Sequence, residues 1–287
     1  MTGKKKKLKP LIGFIGQGYI GKNYADDFEH RGYTTVRYAL EKPYKDNKEK
    51  IQECDIVFIA VPTPTTPKGF DDSIVRKAIA LVGEKKIAVV KSTIIPGTTK
   101  SFQKKYPDRT IFYSPEFLSE ATAANDAAHP FSNIIGMAGN TAMHRAAAKR
   151  VHAILPKAPF VLTCDSTEAE LIKYAHNGNG FFAVVFFNFM YDLAKRLRAD
   201  WTPIEEALRK DPFISHYYIR PIHKTGRGAG GHCFIKDFAA LRGLYGKMVN
   251  DPVGLAALIA LEKKNIALLK KSGKDKDLLR GVYGKSI

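Results

Sequence analysis

The chain has 287 residues, 45% of them hydrophobic, and a formal net charge of +18. This length can bury a large core, so it predicts two domains or one large domain. The longest apolar run, residues 181–191, is too short to cross a bilayer. The positive charge favours anionic ligands such as nucleotides and phosphate esters.

The three cysteines lie far apart and show neither a metal-ligand spacing nor a disulfide pattern. The run Lys4–Lys7 precedes a short apolar strand rather than the apolar region of a signal peptide. We therefore expect a protein of the reducing cytoplasm with no membrane segment and no metal, and a basic tail over residues 1–9. The lysines are scattered and no zinc-finger or RNA-binding motif is found, which makes nucleic acid a minor candidate partner.

Short apolar strands alternate with helical stretches in the first half of the chain. The predicted strands are residues 11–18, which run into a glycine turn, and then 34–40, 55–61, 87–91, 110–113 and 133–137. Helices are predicted up to residue 31 and at 72–83, 97–105 and 141–154. This alternation predicts an α/β fold, a Rossmann-like doubly wound parallel sheet over residues 10–165 that binds NAD(P).

The pattern becomes helical after residue 163. One long helix is predicted over residues 167–198, with Gly178 and Gly180 as weak points. Further helices are predicted at 203–210, 236–248 and 252–271. We expect an all-helical central domain over residues 166–272, built on the long helix, and a second basic tail over residues 273–287.

The glycine turn, residues 16–21, matches the dinucleotide-binding pattern G-x-G-x-x-G between a predicted strand and a predicted helix. Its glycines allow a tight turn, close approach of a pyrophosphate and close helix–strand packing. The expected cofactor contacts are Gly16, Gly18, Tyr19, Ile20 and Gly21.

The acidic residue that should follow the second strand is less clear. Glu41 is placed to bind the adenosine ribose, as in NAD enzymes, although it lies one or two residues late. Arg37 would instead favour the 2′-phosphate of NADP, although a mid-strand position points it toward solvent. NAD is therefore the expected cofactor, with NADP as the alternative.

Ten residues near the C-terminus, 228–237, place Cys233 behind a run of glycines and ahead of Lys236 and Asp237. A thiol is a nucleophile as its thiolate, which a nearby cation or helix N-terminus favours. Taken alone, this segment is equally well explained by a glycine loop in which the cysteine is a small buried residue.

Six motifs occur in a fixed order, and together they are more specific than any one of them. They are Gly16–Gly21, Val61–Pro64, Lys91–Thr98, Ser114–Glu120, Glu168–Asn177 and Gly228–Asp237. In this order the chain resembles the UDP-glucose/GDP-mannose dehydrogenase family over residues 10–248, with UDP-glucose 6-dehydrogenases as the closest pattern. The resemblance implies NAD-dependent oxidation of a nucleotide sugar in two steps, from a primary alcohol to a carboxylate.

The resemblance also implies a role for each motif residue. Cys233 resembles the nucleophile that forms a thiohemiacetal and then a thioester. Lys173 and Asn177, one helical turn apart, resemble the pair that holds the oxyanion. Thr93 and Asp237 resemble the groups that position the catalytic water.

Other residues resemble an acid/base group and cofactor contacts. Glu116 resembles the acid/base of hydrolysis, and Glu120 resembles a residue near both cofactor and substrate. Thr63, Thr93 and Lys236 resemble cofactor contacts.

Three departures from the family pattern affect the substrate side. The family continues with a second α/β domain that holds the nucleotide, whereas the 54 residues after Cys233 are too few to form it. Phe213 stands where the family has an arginine that reaches a neighbouring subunit. His232 replaces the usual serine before the cysteine.

Three functions remain open. The first is a minimal nucleotide-sugar dehydrogenase, its missing half supplied by another chain or its anions held by residues such as Lys224 and Arg227. The second is an NAD(P) dehydrogenase of a smaller alcohol or hydroxy acid, and the third a non-catalytic nucleotide-binding module. The long helix and its apolar run predict a homodimer, unless the run fills the core of one chain.

Overall fold

A computed structural model of the chain describes residues 9–285 and 287. The basic tail expected at residues 1–9 therefore lies outside the described residues apart from Lys9. In chain order the elements are β1 (Ile12–Ile15), α1 (Tyr19–His30), β2 (Thr35–Tyr38), β3 (Ile56–Ile59), β4 (Thr65–Thr66), β5 (Gly69–Phe70), α2 (Ser73–Ala80), β6 (Ile87–Val90), α3 (Thr98–Lys105), β7 (Thr110–Tyr113), α4 (Ala123–Ala128), β8 (Ser132–Met137), α5 (Ala142–Ile154), β9 (Phe160–Asp165), α6 (Ser166–Arg196), α7 (Trp201–Lys210), β10 (Ile222–His223), β11 (Gly226–Arg227), α8 (Gly231–Met248), α9 (Pro252–Ser272) and α10 (Lys276–Tyr283).

The described chain forms two compact units. The first unit contains residues 9–63 and 72–173, and the second contains residues 64–71 and 174–287 apart from residue 286. Helix α6 begins in the first unit and continues into the second.

The first unit is built on a seven-stranded sheet of order β2-β1-β3-β6-β7-β8-β9. Strands β2, β1, β3, β6 and β7 pair in parallel, with Ile12 opposite Thr35 and Ile56. Strand β8 is antiparallel to β7 and parallel to β9. The predicted Rossmann-like α/β fold is confirmed, and this reversal between β7 and β8 is a detail that the apolar pattern does not encode.

Both faces of the sheet are covered by helices. On one face, alternate strand residues such as Phe14, Phe58 and Phe112 pack in one cluster with side chains of α1, α4 and α5. The intervening strand residues are also buried, and α2 contacts β3 while α3 contacts β7. Burial on both faces explains why most of these strands are uninterrupted apolar runs in the sequence.

The second unit is mainly helical. The rings of Phe181 on α6 and Phe238 on α8 stack with centroids 3.7 Å apart. A second cluster joins α8, α9 and α10 through Ile235, Leu269 and Leu279. Helix α8 and the hairpin β4–β5 are also in contact.

Several elements differ from the sequence prediction, among them α4 and the short strands β4, β5, β10 and β11, which were not expected. Strand β9 was not expected, α8 begins at Gly231 rather than 236, and α10 occupies the segment expected to be a basic tail over residues 273–287. The predicted long helix is confirmed as α6, which continues through Gly178 and Gly180 without a break. A Cβ on Gly180 would lie 2.8 Å from the Phe234 ring, so this glycine serves close packing rather than a bend.

No helix within residues 9–285 combines the length and the apolar content needed to cross a membrane.

Candidate active site

The glycine turn connects β1 to α1 in the first unit, as a dinucleotide site requires. Gly16 has φ +92°, and a Cβ on Gly21 would lie 2.0 Å from the backbone oxygen of Gly16. A Cβ on Gly18 would meet no atom within 4 Å. Gly18 is the N-cap of α1 and offers no side chain to its first amides, so the turn is open to an anion at this position. The residues present thus fit a dinucleotide cofactor.

Two residues of the glycine turn, Tyr19 and Ile20, begin helix α1. Tyr19 is the first residue of α1, and its carbonyl oxygen accepts a hydrogen bond from Asn23. Ile20 packs against the apolar core of the sheet. Ile20 therefore supports the turn by apolar packing rather than by a polar contact.

Arg37 and Glu41, the two residues that bear on the choice between NAD and NADP, have different surroundings. The guanidinium group of Arg37 forms ion pairs with Asp26 at 2.7 Å and Glu29 at 2.6 Å, both on α1. Arg37 is thus engaged within the protein rather than directed at solvent as expected. Glu41 is exposed and lies three residues beyond the end of β2.

The loops after β3 and β6 are tied together. The hydroxyl group of Ser92 accepts a hydrogen bond from the amide of Val61 at 2.9 Å and donates one to the Val61 carbonyl at 2.7 Å. Thr63 and Thr93, the predicted site residues on these loops, are both buried. The loops therefore hold both threonines at the carboxyl ends of neighbouring parallel strands, where ligands bind in such sheets.

A buried ion pair joins α6 to the loop after β7. The ammonium group of Lys173 lies 3.0 Å from the Glu116 carboxylate and donates to the Glu116 carbonyl at 2.5 Å. The other carboxylate oxygen of Glu116 accepts from the amide of Leu118 at 3.0 Å. Both side chains are thus fixed in orientation. Glu120, in contrast, is exposed.

The second unit contains another chain of buried polar contacts. The side-chain amide of Asn177 on α6 donates to one oxygen of Asp237 at 2.7 Å. The other oxygen of Asp237 lies 2.5 Å from the ammonium group of Lys236. Asn177 and Asp237 are both buried, whereas Lys236 is partly exposed. Three predicted site residues are therefore in direct contact through Asp237.

Cys233 differs from the other two cysteines in its surroundings. It lies in the first turn of α8, whose N-cap is Gly230, and four residues before Asp237. Burial raises the pKa of Cys54 to about 12 and that of Cys164 to about 11, so both remain thiols at neutral pH. Of the three cysteines, all of them described, Cys233 alone lies at the N-terminus of a helix.

Two buried side chains near these residues were missed by sequence reasoning. Lys91, at the end of β6, donates to the Ser114 hydroxyl at 3.1 Å and lies 4.3 Å from the centre of the Tyr24 ring. Burial lowers the pKa of Lys91 to about 8. Its place in the Lys91–Thr98 motif was a signal that could have identified it.

Glu170 is the second missed residue. Its buried carboxylate accepts hydrogen bonds from the amides of Gly97 at 2.6 Å and Thr99 at 2.8 Å. Burial raises the pKa of Glu170. It thereby caps α3 and ties the loop after β6 to α6, three residues before Lys173.

Two residues discussed for the substrate side have other surroundings. Arg227 forms an ion pair with Asp192 at 2.7 Å, so it is engaged within the second unit rather than available to an anion. The side chain of Phe213 is 94% exposed. Within the described residues, no group of His, Cys, Asp and Glu side chains is placed to hold a metal ion.

Comparison with known proteins assigns the family. Residues 35–155 match the NAD binding domain of the UDP-glucose/GDP-mannose dehydrogenase family, and residues 167–261 match its central domain. The chain is 32% identical over 208 residues to the UDP-glucose 6-dehydrogenase TuaD of Bacillus subtilis, which covers 68% of this chain and 43% of that protein. It spans about half the length of the curated relatives that it matches.

Two solved structures have folds similar to that of this chain. A UDP-glucose dehydrogenase from Pyrobaculum islandicum superposes with a TM-score of 0.75 at 25% identity, covering 90% of this chain and 69% of the other. A 3-hydroxyisobutyrate dehydrogenase from Mycobacterium tuberculosis superposes with a TM-score of 0.68 at 15% identity, covering 91% and 95%. The second likeness is one of fold alone.

The cofactor predicted from the glycine turn, NAD, is that of the matching family domain. The two family domains follow one another along the sequence in the expected order. The chain belongs to the UDP-glucose/GDP-mannose dehydrogenase family.

Proposed function

We propose that the chain is an NAD-dependent dehydrogenase that oxidises the primary alcohol of a nucleotide sugar, resembling UDP-glucose, to a carboxylate. The observation that carries this proposal is the contact of Asn177 with Asp237, one helical turn from Cys233. A buried amide–carboxylate pair close to a cysteine at a helix N-terminus argues against a non-catalytic module. The Lys173–Glu116 pair gives independent support in the first unit.

The cofactor is proposed to bind at the glycine turn and the loops after β3 and β6. Gly16, Gly18 and Gly21 would hold its pyrophosphate, with Thr63 and Thr93 as further contacts. NAD, when bound, supplies a hydride acceptor for each oxidation. The ion pairs of Arg37 with Asp26 and Glu29 favour NAD over NADP, because they use the cation that a 2′-phosphate would need.

Cys233 is the proposed nucleophile of the second oxidation. Its thiolate adds to the carbonyl carbon of the aldehyde, and the carbonyl oxygen becomes the alkoxide of a thiohemiacetal. Lys173 and Asn177 are proposed to donate hydrogen bonds to this oxygen. Their carboxylate partners hold both donors in place, which reduces the reorganisation needed when the negative charge develops.

Hydrolysis then releases the product. Loss of a hydride leaves a thioester, and water attacks its carbonyl carbon so that the C–S bond breaks and Cys233 leaves as the thiolate. Glu116 is proposed to accept a proton from this water, while Asp237 and Thr93 position it. Glu120 and Lys236 are proposed as outer contacts of cofactor and substrate, since each is exposed or partly exposed.

The number of hydrides transferred for each sugar molecule tests this proposal. With NAD and UDP-glucose we expect two reduced cofactors for each sugar consumed, and Cys233→Ser should abolish acid formation while cofactor binding is retained. Unchanged acid formation in Cys233→Ser would exclude Cys233 as nucleophile. NAD binding without turnover of any sugar nucleotide or hydroxy acid would instead favour a binding module.

A second candidate is a dehydrogenase of a smaller hydroxy acid. It is favoured by Lys173 and Asn177, which lie one turn apart on α6 after the dinucleotide-binding sheet, an arrangement that resembles that of the wider hydroxy-acid dehydrogenase group. A one-step alcohol oxidation needs no thioester, so one hydride per substrate and full activity of Cys233→Ser would identify this reaction.

A homodimer is proposed on the basis of α6. Residues Phe182, Phe186, Phe189 and Leu193 of this helix are exposed, although Phe181 and Val185 beside them are buried. The exposed residues recur every three or four positions and form an apolar stripe, which a second copy of the chain would cover. We expect a dimer in sedimentation equilibrium, and a monomer for Phe186→Glu.

A cytoplasmic location is also proposed. No disulfide joins the three cysteines, all of which are described. This state fits a reducing compartment.

A further inference from the structure

The backbone of the cysteine loop, residues 226–231, is held by side chains from the end of the chain. Asn265 accepts a hydrogen bond from the Ala229 amide at 2.7 Å and donates one to the Ala229 carbonyl at 2.9 Å. The ammonium group of Lys274 donates to the Gly228 carbonyl at 3.1 Å. The carboxylate of Asp275 accepts from the Gly231 amide at 2.7 Å. These contacts satisfy four backbone groups of the loop that leads to Cys233.

The loop and Asp275 are packed closely against each other. A Cβ on Gly230 would lie 2.0 Å from a carboxylate oxygen of Asp275 and 2.8 Å from the side chain of Lys274. Position 230 therefore has no room for any larger residue while Asp275 keeps its place. Packing against Asp275 and Lys274 is therefore sufficient to explain the glycine at position 230, and contact with a substrate is not needed to explain it.

Asp275 acts as a cap for a helix other than its own. It occupies the N-cap position of α10, yet its side chain makes no capping bond there. Gly230, the N-cap of α8, has no side chain to accept the free amides of that helix. The Asp275 carboxylate accepts from Gly231, the first residue of α8, two residues before Cys233.

Asp275 holds this position from an unusual backbone conformation. Its φ is +54°, in the left-handed region, where Asp and Asn are the best tolerated residues after Gly. A side chain at this point of the chain can reach α8 because α10 packs on α8 through Leu279 and Ile235. The segment expected to be a solvated tail thus reaches the N-terminus of the helix that carries Cys233.

We propose that Asp275 is a positioning residue for Cys233: its carboxylate fixes the first turn of α8 and places a negative charge at the N-terminus of the helix that carries the thiol. Asn265 and Lys274 assist by holding the loop that precedes it. The proposal rests on the assignment of Cys233 as the nucleophile, but its test needs neither substrate nor turnover. A failure of the dehydrogenase assignment and a failure of this proposal are therefore distinguishable.

The test compares Asp275→Asn with Asp275→Gly in the full chain. Both variants remove the charge and both tolerate the left-handed backbone, but only asparagine keeps an acceptor for the Gly231 amide. The control is Asp277→Asn, which removes the same charge from a side chain that is 96% exposed and pairs only with Arg280 at 3.3 Å in the described chain. Surface pairs of this kind contribute little to stability.

Amide hydrogen exchange reports the hydrogen bond. We expect exchange of the amides of residues 229–233 to be about tenfold faster in Asp275→Gly than in Asp275→Asn, since a bond to a charged or polar acceptor is lost. Asp275→Asn and Asp277→Asn should exchange within about twofold of the natural chain. Equal exchange in the two Asp275 variants would overturn the positioning role.

Alkylation of Cys233 by iodoacetamide, followed by peptide mass spectrometry, reports the charge. Removing a nearby negative charge favours the thiolate, so the pH midpoint of the alkylation rate should fall by about half a unit in Asp275→Asn, a rate increase of about threefold at lower pH. Asp277→Asn should leave the midpoint in place. Coincident midpoints in these two variants would overturn the proposal, and this readout holds even if Asp275→Gly does not fold.

Discussion

Two glycine-rich segments precede helices in this chain, and they differ in what occupies the space beside the glycines. In the glycine turn, Gly21 lies against the backbone oxygen of Gly16, while Gly18 faces open space. In the cysteine loop, Gly230 lies against the side chains of Asp275 and Lys274. The first segment leaves room for a ligand at Gly18, before α1, whereas the space beside Gly230, before α8, is filled by side chains of the protein itself.

A glycine-rich segment before a helix can therefore have two different physical causes. A glycine pressed against backbone is required by the local turn, and no other residue in the chain can change to relieve the contact. A glycine pressed against a side chain is required by that side chain, and it becomes replaceable when the side chain is removed. Substitutions at these glycines therefore separate the two cases.

The largest effect is expected for Gly21→Ala. The added methyl group would lie 2.0 Å from the Gly16 oxygen, so the turn or the first turn of α1 must move. We expect a loss of about 3 kcal/mol in the free energy of unfolding and loss of NAD binding, measured by urea denaturation and by calorimetric titration. A variant with the stability of the natural chain would show that the turn adjusts freely, and the comparison would fail.

A smaller effect is expected for Gly230→Ala. The methyl group would displace the Asp275 carboxylate and break its bond to the Gly231 amide, which we expect to cost about 2 kcal/mol. In an Asp275→Gly background the same substitution should cost about 1 kcal/mol or less, because only the contact with the flexible Lys274 side chain remains. The double-mutant cycle is measured by urea denaturation. If the free-energy changes of Gly230→Ala and Asp275→Gly simply add in the double mutant, the Asp275 side chain is not the reason that position 230 needs a glycine.

Gly231→Ala is the matched control for this cycle. Gly231 has φ +78°, but a Cβ there would meet no atom within 4 Å. The substitution should cost about 1 kcal/mol from backbone strain alone. Because no side chain is displaced, the cost should be the same in the Asp275→Gly background, and a dependence on residue 275 would contradict this view.

The fold was predictable where the hydrophobic pattern was strong. Strands buried on both faces, such as β3 and β6, are short apolar runs that the sequence displays directly. Strand β9 was missed because it lies at the sheet edge and half of its residues are exposed. Helix α10 was missed because the lysines of residues 273–287 suggested a tail, although Leu279 and Val282 recur at helical spacing and are buried.

The site residues were identifiable by type, but their partners were not. The spacing of Lys173 and Asn177 places them on one helix face, whereas their contacts with Glu116 and Asp237 join residues about sixty positions apart. Glycines are poor helix formers, so the sequence favoured a loop around Cys233 and the structure has the first turn of α8 there. Asp275 lay in a segment with no recognisable motif, which is why its contact with Gly231 could not be anticipated.

The smallest effect on stability, and the sharpest test of the comparison, is expected for Gly18→Ala. Its φ of −68° suits any residue, and a Cβ would meet no protein atom within 4 Å, so the free energy of unfolding should change by less than about 0.5 kcal/mol. The open space is the proposed place of the pyrophosphate, however, and a methyl group there would keep the phosphate from the first amides of α1. We expect calorimetric titration to show NAD affinity reduced about tenfold or more, equivalent to about 1.4 kcal/mol. Unchanged affinity in a stable Gly18→Ala protein would mean that the cofactor does not occupy this space. The glycines of the turn would then be explained, like Gly230, by the packing of the protein alone.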